Sequence, residues 1–296
     1  MNCHTLFASR TPRHVWLLAG LALFMLSTFS SVEAGDIRTA GQVQFVDGSI
    51  SILDSAGRAR IAKVGMTVHE GDTVVTSSNA ELHVETEDAG YIAVRPGTKL
   101  QFKVYRAEAD GKDEAIIVLI KGTFRAVSGW IGKYNMQNYV IETPVATIGI
   151  RGTDHEPAFM PEITNGETLV GAPGAYDKVN SGTTYIRNRA GTTILNAGRV
   201  GFASDDGSNL PVVLDRIPRF YRATRNEHLI DEKKGALDKR LQEKYRERAK
   251  ESQSSTSPSS QNKDGQPQDH TGPGHPDRPD NPNHVDRPDR PQRPNR

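Results

Sequence analysis

Short runs of alternating apolar and polar residues, separated by turn signals about every ten residues, fill the chain between residues 41 and 203. In the run at residues 81–85, Leu82 and Val84 belong to one strand face and the three residues between and beside them to the other. Many short strands at this spacing predict an all-β fold, a jelly-roll-like domain or β-sandwich of antiparallel strands. We expect one solvated face on the run at 81–85, formed by Glu81, His83 and Glu85.

Two glycine-rich segments repeat each other. VDGSISILDSAGRARIAKVG begins at Val46 and VNSGTTYIRNRAGTTILNAG begins at Val179. Each copy reads as a β-hairpin whose turn needs a positive φ at glycine. Because the copies flank the predicted domain in sequence, we expect them to form matching edges of one closed structure.

The N-terminus has the pattern of an export signal. An apolar run at residues 14–31 follows Arg10 and Arg13, and small residues precede Gly35. A basic start, a short apolar stretch and a small-residue break predict a signal peptide at 1–34, cleaved after Ala34. The location is then the periplasm, with secretion or an uncleaved anchor as alternatives.

The distribution of charge argues against nucleic acid as a partner. Residues 35–215 carry 17 basic and 22 acidic side chains, a net charge of −5, and residues 216–251 carry 12 and 7, a net charge of +5. An acidic body lacks the clustered Lys and Arg that phosphate contacts need. The chain contains one cysteine, inside the predicted signal, so the mature chain has no disulfide.

The C-terminal third changes character. Residues 216–251 are rich in Lys, Arg and Glu, with a narrow apolar stripe at helical spacing, and predict a basic helical segment. This segment could dock on the acidic body, bind a partner or another copy, or lie on a membrane; we expect no direct membrane contact after signal cleavage. Residues 252–296 have almost nothing to bury and predict a disordered tail. The stripe consists of Ile230, Leu237, Leu241 and Tyr245.

Motifs in a fixed order give the chain a family resemblance. KVGMTVHEGDTVVTSS supplies Gly71-Asp72 and Thr76, VRPGT supplies Pro96, and KGTFR supplies Arg125. TPVATIGIRGT follows, with Thr143-Pro144 at its start. Over residues 41–155, with an extension to 203, the chain resembles the FecR domain of exported bacterial proteins. The full motif set is Gly71, Asp72, Thr76, Pro96, Arg125, Thr143, Pro144, Ile150, Arg151, Gly152 and Thr153.

The resemblance implies a layout and a function. The family's namesake is a membrane regulator whose cytoplasmic segment controls a sigma factor, but 13 residues precede the apolar run here, so we expect that segment to be lacking. The expected domains are a FecR-like β-domain at 35–215 (core 41–155, second hairpin copy 176–203), the helical segment at 216–251 and the tail. The expected function is non-catalytic recognition or scaffolding at the cell envelope through a protein partner. Alternatives are a signalling component that works with a separate membrane regulator, and a carbohydrate-binding module or enzyme.

The segment TPVATIGIRGTDHE carries the densest group of candidate site residues. GIRGT lacks the lysine and the following helix of a phosphate loop, so we interpret Gly149 and Gly152 as turn glycines and Arg151 as an internal clamp on carbonyls or a carboxylate. Thr143-Pro144 fits a strand start. Asp154, His155 and Glu156 point to alternating faces of a strand and do not converge on a metal.

No other motif predicts catalysis, a metal or a cofactor. The mature chain has no cysteine nucleophile and no G-x-S-x-G elbow, and we expect no enzyme activity. Trp130, Tyr134 and Tyr139 are candidate partner-binding residues, since exposed aromatics on a β surface stack on partner side chains or on a glycan; packing in the core is the alternative.

Overall fold

The computed structural model describes residues 37–162 and 171–255, with side chains to residue 251. The predicted signal peptide, the expected lack of a cytoplasmic segment and the predicted tail beyond residue 255 lie outside the described residues. The strands are β1 (Thr39–Asp47), β2 (Ile50–Leu53), β3 (Ala59–Ile61), β4 (Thr67–His69), β5 (Thr73–Thr76), β6 (Glu81–Thr86), β7 (Tyr91–Val94), β8 (Lys99–Arg106), β9 (Glu114–Val127), β10 (Tyr139–Glu142), β11 (Thr147–Met160), β12 (Gly174–Asn188), β13 (Gly191–Asn196), β14 (Val200–Ser204) and β15 (Val212–Leu214). The helices are α1 (Trp130–Tyr134), a 3-10 turn (Met136–Asn138) and α2 (Glu227–Ser255).

The longest strands change partners halfway along their length. The first half of β9 pairs with β8 and β10, and its second half pairs with β7 and β11. The first half of β12 pairs with β14 and its second half with β13. Both strands bend at a glycine in the left-handed region, Gly122 with φ +90° and Gly182 with φ +81°. A strand that bends in this way leaves one layer of a sandwich and enters the other.

The pairings therefore form two lines of strands. The first layer runs β15–β14–β12–β11–β9–β7–β6–β1–β4, and the second runs β13–β12–β11–β10–β9–β8–β5–β2–β3. Val84 and Ile92 of the first layer and Leu100, Ile117 and Ile141 of the second belong to one buried apolar cluster. The predicted all-β sandwich is confirmed, and nearly all of its pairings are antiparallel; β9 and β10 run parallel.

The two repeat copies have the same hydrogen-bonded layout. In the first, Gly65 N–H donates to the carbonyl of Val43 at 2.8 Å; in the second, Gly198 N–H donates to the carbonyl of Val179 at 2.7 Å. The first copy brings β4 beside β1 and the second brings β14 beside β12. These pairs lie towards opposite ends of the first layer, so the described strands form an open sheet and not the closed structure we expected.

Helix α2 covers the side of the first layer that faces away from the core, which we call the outer face. The predicted helical segment is confirmed, although its helix begins at Glu227 and not at residue 216, and it continues to Ser255, into the first four residues of the predicted tail. All four residues of β7 are buried, because the core covers one side of the strand and α2 the other. The outer face consists of Glu81, His83, Glu85, Tyr91, Ala93, Arg95, Arg125, Val127, Asp154, Glu156, Lys178 and Asn180.

Candidate functional site

Two arginines lie at the centre of the outer face, and each is paired with a carboxylate of the sheet. Arg95 Nη2 donates to Glu156 Oε2 at 2.7 Å. Arg125 makes a bidentate pair with Asp154, with Nε and Nη2 at 2.9 and 2.7 Å from the two carboxylate oxygens. All four side chains are less than a tenth exposed. The rigid guanidinium fork matches a carboxylate in this geometry. The Arg125–Asp154 pair links β9 to β11, and the Arg95–Glu156 pair links the residue after β7 to β11.

The first two turns of α2 add charges to the same cluster. Glu227 accepts from Arg125 and forms a 3.1 Å ion pair with Arg95. Asp231 accepts from Arg125 at 2.8 Å, and Lys234 donates to Asp154 at 2.6 Å. Carboxylates near the start of a helix also interact favourably with its dipole. The cluster is therefore shared between the sheet and the helix.

The electrostatics of the cluster favour the charged form of every member whose shift is resolved. Burial raises the pKa of Asp154, but hydrogen bonds from Arg125, Lys234 and Asn180 outweigh it and hold the pKa well below its usual range. For Glu227, burial is likewise outweighed by the charge of Arg95 and the hydrogen bond from Arg125, and the pKa is lowered. Burial lowers the pKa of Arg125, and its carboxylate partners raise it to a larger extent.

A narrow apolar contact continues from the ion cluster. Ile230 and Leu237 are buried against Tyr91, Ala93 and Val127 of the sheet. Further along, Leu241 is buried, and the ring of Tyr245 packs against Trp130 and Tyr134 with centroid distances of 6.0 and 4.8 Å. The predicted apolar stripe is thus the side of α2 that contacts the sandwich.

More ion pairs hold the C-terminal half of α2. Arg240 pairs with Glu85 at 2.6 Å, and Lys133 of α1 pairs with Asp238 at 3.0 Å. Lys244 and Arg248 both pair with Glu87. The acidic body and the basic segment therefore do dock on each other, through specific pairs.

The expected solvated face at residues 81–85 is wrong for its first two polar residues. Glu81 is 4% exposed and His83 is 0% exposed. Glu81 lies 2.7 Å from His83 Nε2 and accepts from Thr224 and Asn226, which precede α2. The alternation correctly placed these residues away from the core, but α2 and the residues before it cover that side of the strand.

The three consecutive polar residues at 154–156 divide as predicted. Asp154 and Glu156 lie on the outer face, and His155 turns inward, fully buried, with Nδ1 2.9 Å from Asp177 Oδ1. In the described part of the chain, His155 Nε2 and Asp177 Oδ2 have no hydrogen-bond partner. No group of three or more His, Cys, Asp or Glu residues among the described residues is arranged to hold a metal.

The first half of the motif set forms turns. Asp72 accepts from the backbone N–H of His69 at 2.8 Å and pairs with Arg60, and Gly71 before it has a φ of +88°. Thr76 Oγ1 donates to the carbonyl of Arg95 at 2.7 Å and accepts from Thr98 N–H at 2.9 Å. Pro96 is exposed in the turn between β7 and β8.

The structure differs from our interpretation of the GIRGT segment at Arg151 and Gly149. The side chain of Arg151 is exposed and makes no hydrogen bond or ion pair with the described residues, so Arg151 is not the internal clamp that we expected. Arg125, which is buried and paired with Asp154, has that role. Gly149 lies within β11, where the ring of Tyr185 occupies the space of a side chain: an added Cβ would be 2.1 Å from Tyr185 Cζ.

Thr143 and Pro144 form the turn between β10 and β11 and do not begin a strand. Thr143 Oγ1 accepts from Ala146 N–H at 3.0 Å and so closes that turn. The remaining residues of the motif set lie within β11: Ile150 and Thr153 are buried, and Gly152 has a φ of +54°.

Of the three aromatic candidates for partner binding, two are buried and one is exposed. Trp130 and Tyr139 are buried in the core, as the packing alternative has it, and Trp130 Nε1 donates to Asp113 Oδ2 at 3.1 Å. Tyr134 is 46% exposed beside α2 and is the one that keeps its place as a binding candidate. Sequence reasoning missed Glu227 and Asp231, for which the available signal was a pair of carboxylates four residues apart inside the predicted helical segment at 216–251.

Comparison with solved structures gave distant similarities. Two crystal structures of a protein provisionally described as an anti-sigma factor from Parabacteroides distasonis ATCC 8503 are 8% and 10% identical to this chain, each with a TM-score of 0.38. Each match covers 50% of this chain and 61% of the other, so the chain spans less than two thirds of those proteins. Comparison with curated protein sequences gave no match.

The family comparison covers the strands that build the outer face. Residues 72–170 match the model of the family described as FecR protein. That span contains both central arginines and their sheet carboxylates, whereas α2 lies beyond it. Within the described residues, no helix has the length and apolar character needed to cross a membrane. The predicted resemblance to the FecR family is therefore confirmed over residues 72–170.

Proposed function

We propose that this protein is a periplasmic, non-catalytic recognition module that takes part in envelope signalling by binding a protein partner. The observation that carries this proposal is the FecR family match over residues 72–170. The arrangement of charged groups supports it: Arg95, Arg125, Asp154 and Glu156 are occupied by one another and by α2. Such groups bind a polypeptide segment and are not poised for proton transfer. The predicted signal peptide supports the periplasmic location.

The proposal is tested by photo-crosslinking in cells. A photoreactive amino acid replaces one exposed residue at a time, at Tyr134, Ile61 and Ile194, with Lys99 on another strand as a comparison position. We expect one discrete protein adduct in the envelope fraction from a subset of these positions. Equal, diffuse labelling at all positions, together with saturable glycan binding, would contradict the proposal.

The location is tested separately. Mass spectrometry of the periplasmic fraction should find a mature N-terminus at Gly35. Recovery of the chain with Met1 intact in the membrane fraction would show that the export signal is retained as an anchor.

A further inference from the structure

We propose that the outer face is a binding site for an amphipathic helix of a protein partner, one with two carboxylates near its start, and that α2 occupies this site until the partner displaces it. The inference rests on the proposed function and names the surface through which recognition occurs. Three observations carry it: the charge pattern of the face, the ion pairs that stay behind when α2 leaves, and the small apolar contact.

The outer face has a polarity that selects one direction of a bound helix. Arg95 and Arg125 lie where the helix begins, and the carboxylates of Glu85 and Glu87 lie along its later turns. A helix whose acidic residues come first and whose basic residues follow matches both the arginines and its own dipole.

The contacts of α2 define the chemistry of the partner helix. Its carboxylates are four residues apart, at Glu227 and Asp231, and a lysine follows at Lys234. Apolar residues lie on the same side at Ile230 and Leu237. We therefore expect the partner to present acidic residues at i and i+4, a basic residue at i+7, and apolar residues at i+3 and i+10.

The two central arginines do not depend on α2 for a carboxylate partner. Arg125 keeps its bidentate pair with Asp154, and Arg95 keeps Glu156. Glu156 keeps Lys178 as well. A departing helix therefore leaves both arginines paired, whereas Glu85 and Glu87 lose their α2 partners and become exposed to water.

Helix α2 is held by many charges and little apolar area. Among the α2 residues whose side chains are described, five form its apolar contact: Ile230, Leu237, Leu241, Tyr245 and Ala249. Gly235 lies in its middle with nothing within 4 Å of an added Cβ, and glycine weakens a helix interior relative to alanine. Salt screens the more exposed ion pairs that α2 makes with Glu85, Glu87 and Lys133, and screens the buried pairs around Arg125 less. Salt should therefore weaken this contact under conditions that leave the sandwich folded.

The test uses the full chain and a fluorescent peptide of residues 224–251 as the probe. We expect weak binding to the wild type, because its own α2 occupies the site. The double variant Glu227→Lys/Asp231→Lys, which weakens that occupant, should bind the peptide about tenfold more tightly. Arg240→Glu weakens the other end of α2 and should act in the same direction. Gly235→Ala, which strengthens α2, should lower the peptide's affinity.

The control is Glu232→Lys/Glu247→Lys, which makes the same charge change on the exposed side of α2 and should bind like the wild type. A peptide that carries Glu227→Lys and Asp231→Lys, the charge-reversed peptide, should not bind. The proposal is overturned if hydrogen exchange shows that α2 is released in the double variant or in Arg240→Glu and the peptide still does not bind. It is also overturned if the reversed peptide binds equally well. Either result would exclude the outer face as the binding site. It would not exclude a protein partner that binds another surface, which the crosslinking experiment tests independently.

Discussion

Two arginines of the FecR pattern have opposite environments, although the sequence makes them look alike. Arg125 is 7% exposed and bonded to three carboxylates, whereas Arg151 is exposed beside the turn at Gly152. Asp154, which holds Arg125 through two hydrogen bonds, is 1% exposed and has the most strongly lowered carboxyl pKa of the cluster. The contribution of an arginine to stability here depends on its side of the strand and on what covers that side.

This contrast predicts different effects of the same substitution. Arg125→Ala should lower the free energy of unfolding by about 3 kcal/mol, because the buried Asp154 loses its bidentate partner and keeps only the hydrogen bonds from Lys234 and Asn180. Arg151→Ala should change it by no more than about 0.5 kcal/mol. Urea unfolding of both variants measures the difference. Equal losses would mean that the ion cluster is not a stabilising centre.

The lowered carboxyl pKa values predict the dependence of α2 docking on pH. Asp154 and Glu227 have lower pKa values in the folded chain than in the unfolded one, so their contribution is present above about pH 4.5 and is lost as the pH falls through the folded values. Unfolding of the wild type and of Glu227→Gln should be compared between pH 7 and pH 3. The variant should lose less stability across that range; an identical loss would exclude Glu227 as a contributor.

At the scale of elements, the sequence reveals the two glycine-rich copies but does not reveal how they are arranged in the sheet. The spacing of glycines correctly indicated two similar hairpins, and the structure gives both the same hydrogen bond from Gly65 or Gly198 to a strand carbonyl. Closure of the sheet could not be read from the spacing, since it depends on long strands that bend from one layer to the other. The outer face of β6 was likewise assigned correctly by alternation, but its burial depends on Thr224 and Asn226, more than 140 residues away.

The equivalence of the two copies predicts equal effects of alanine at Gly65 and Gly198. Their φ angles are +83° and +80°, and an added Cβ meets nothing within 4 Å at either. Each substitution should therefore lower the free energy of unfolding by about 1 kcal/mol, from backbone strain alone. Gly235→Ala makes the same chemical change within a helix and should be neutral or stabilising. Thermal melts that separate Gly65→Ala from Gly198→Ala by several kcal/mol would contradict the equivalence.

At the scale of the whole molecule, the chain is a β-sandwich whose outer face is covered by its own C-terminal helix. The fold class and the helical segment could be predicted because alternation, turn spacing and the apolar stripe are local signals. The ion cluster around Arg125 could not be predicted, because Arg125 and Glu227 are 102 residues apart in sequence. The domain boundaries at 35–215 and 216–251 remain predictions. The apolar contacts and ion pairs of α2 show that this helix packs on the sandwich.

The central claim is that charge holds α2 on the outer face, and hydrogen–deuterium exchange of the full chain tests it most directly. At low ionic strength we expect the amides of α2 between Glu227 and residue 251 to be protected, along with those of β6, β7 and β9. At about 1 M salt, exchange in α2 should accelerate by roughly tenfold or more while the strands stay protected. Rapid exchange of α2 at low salt, or protection that salt does not change, would contradict the account.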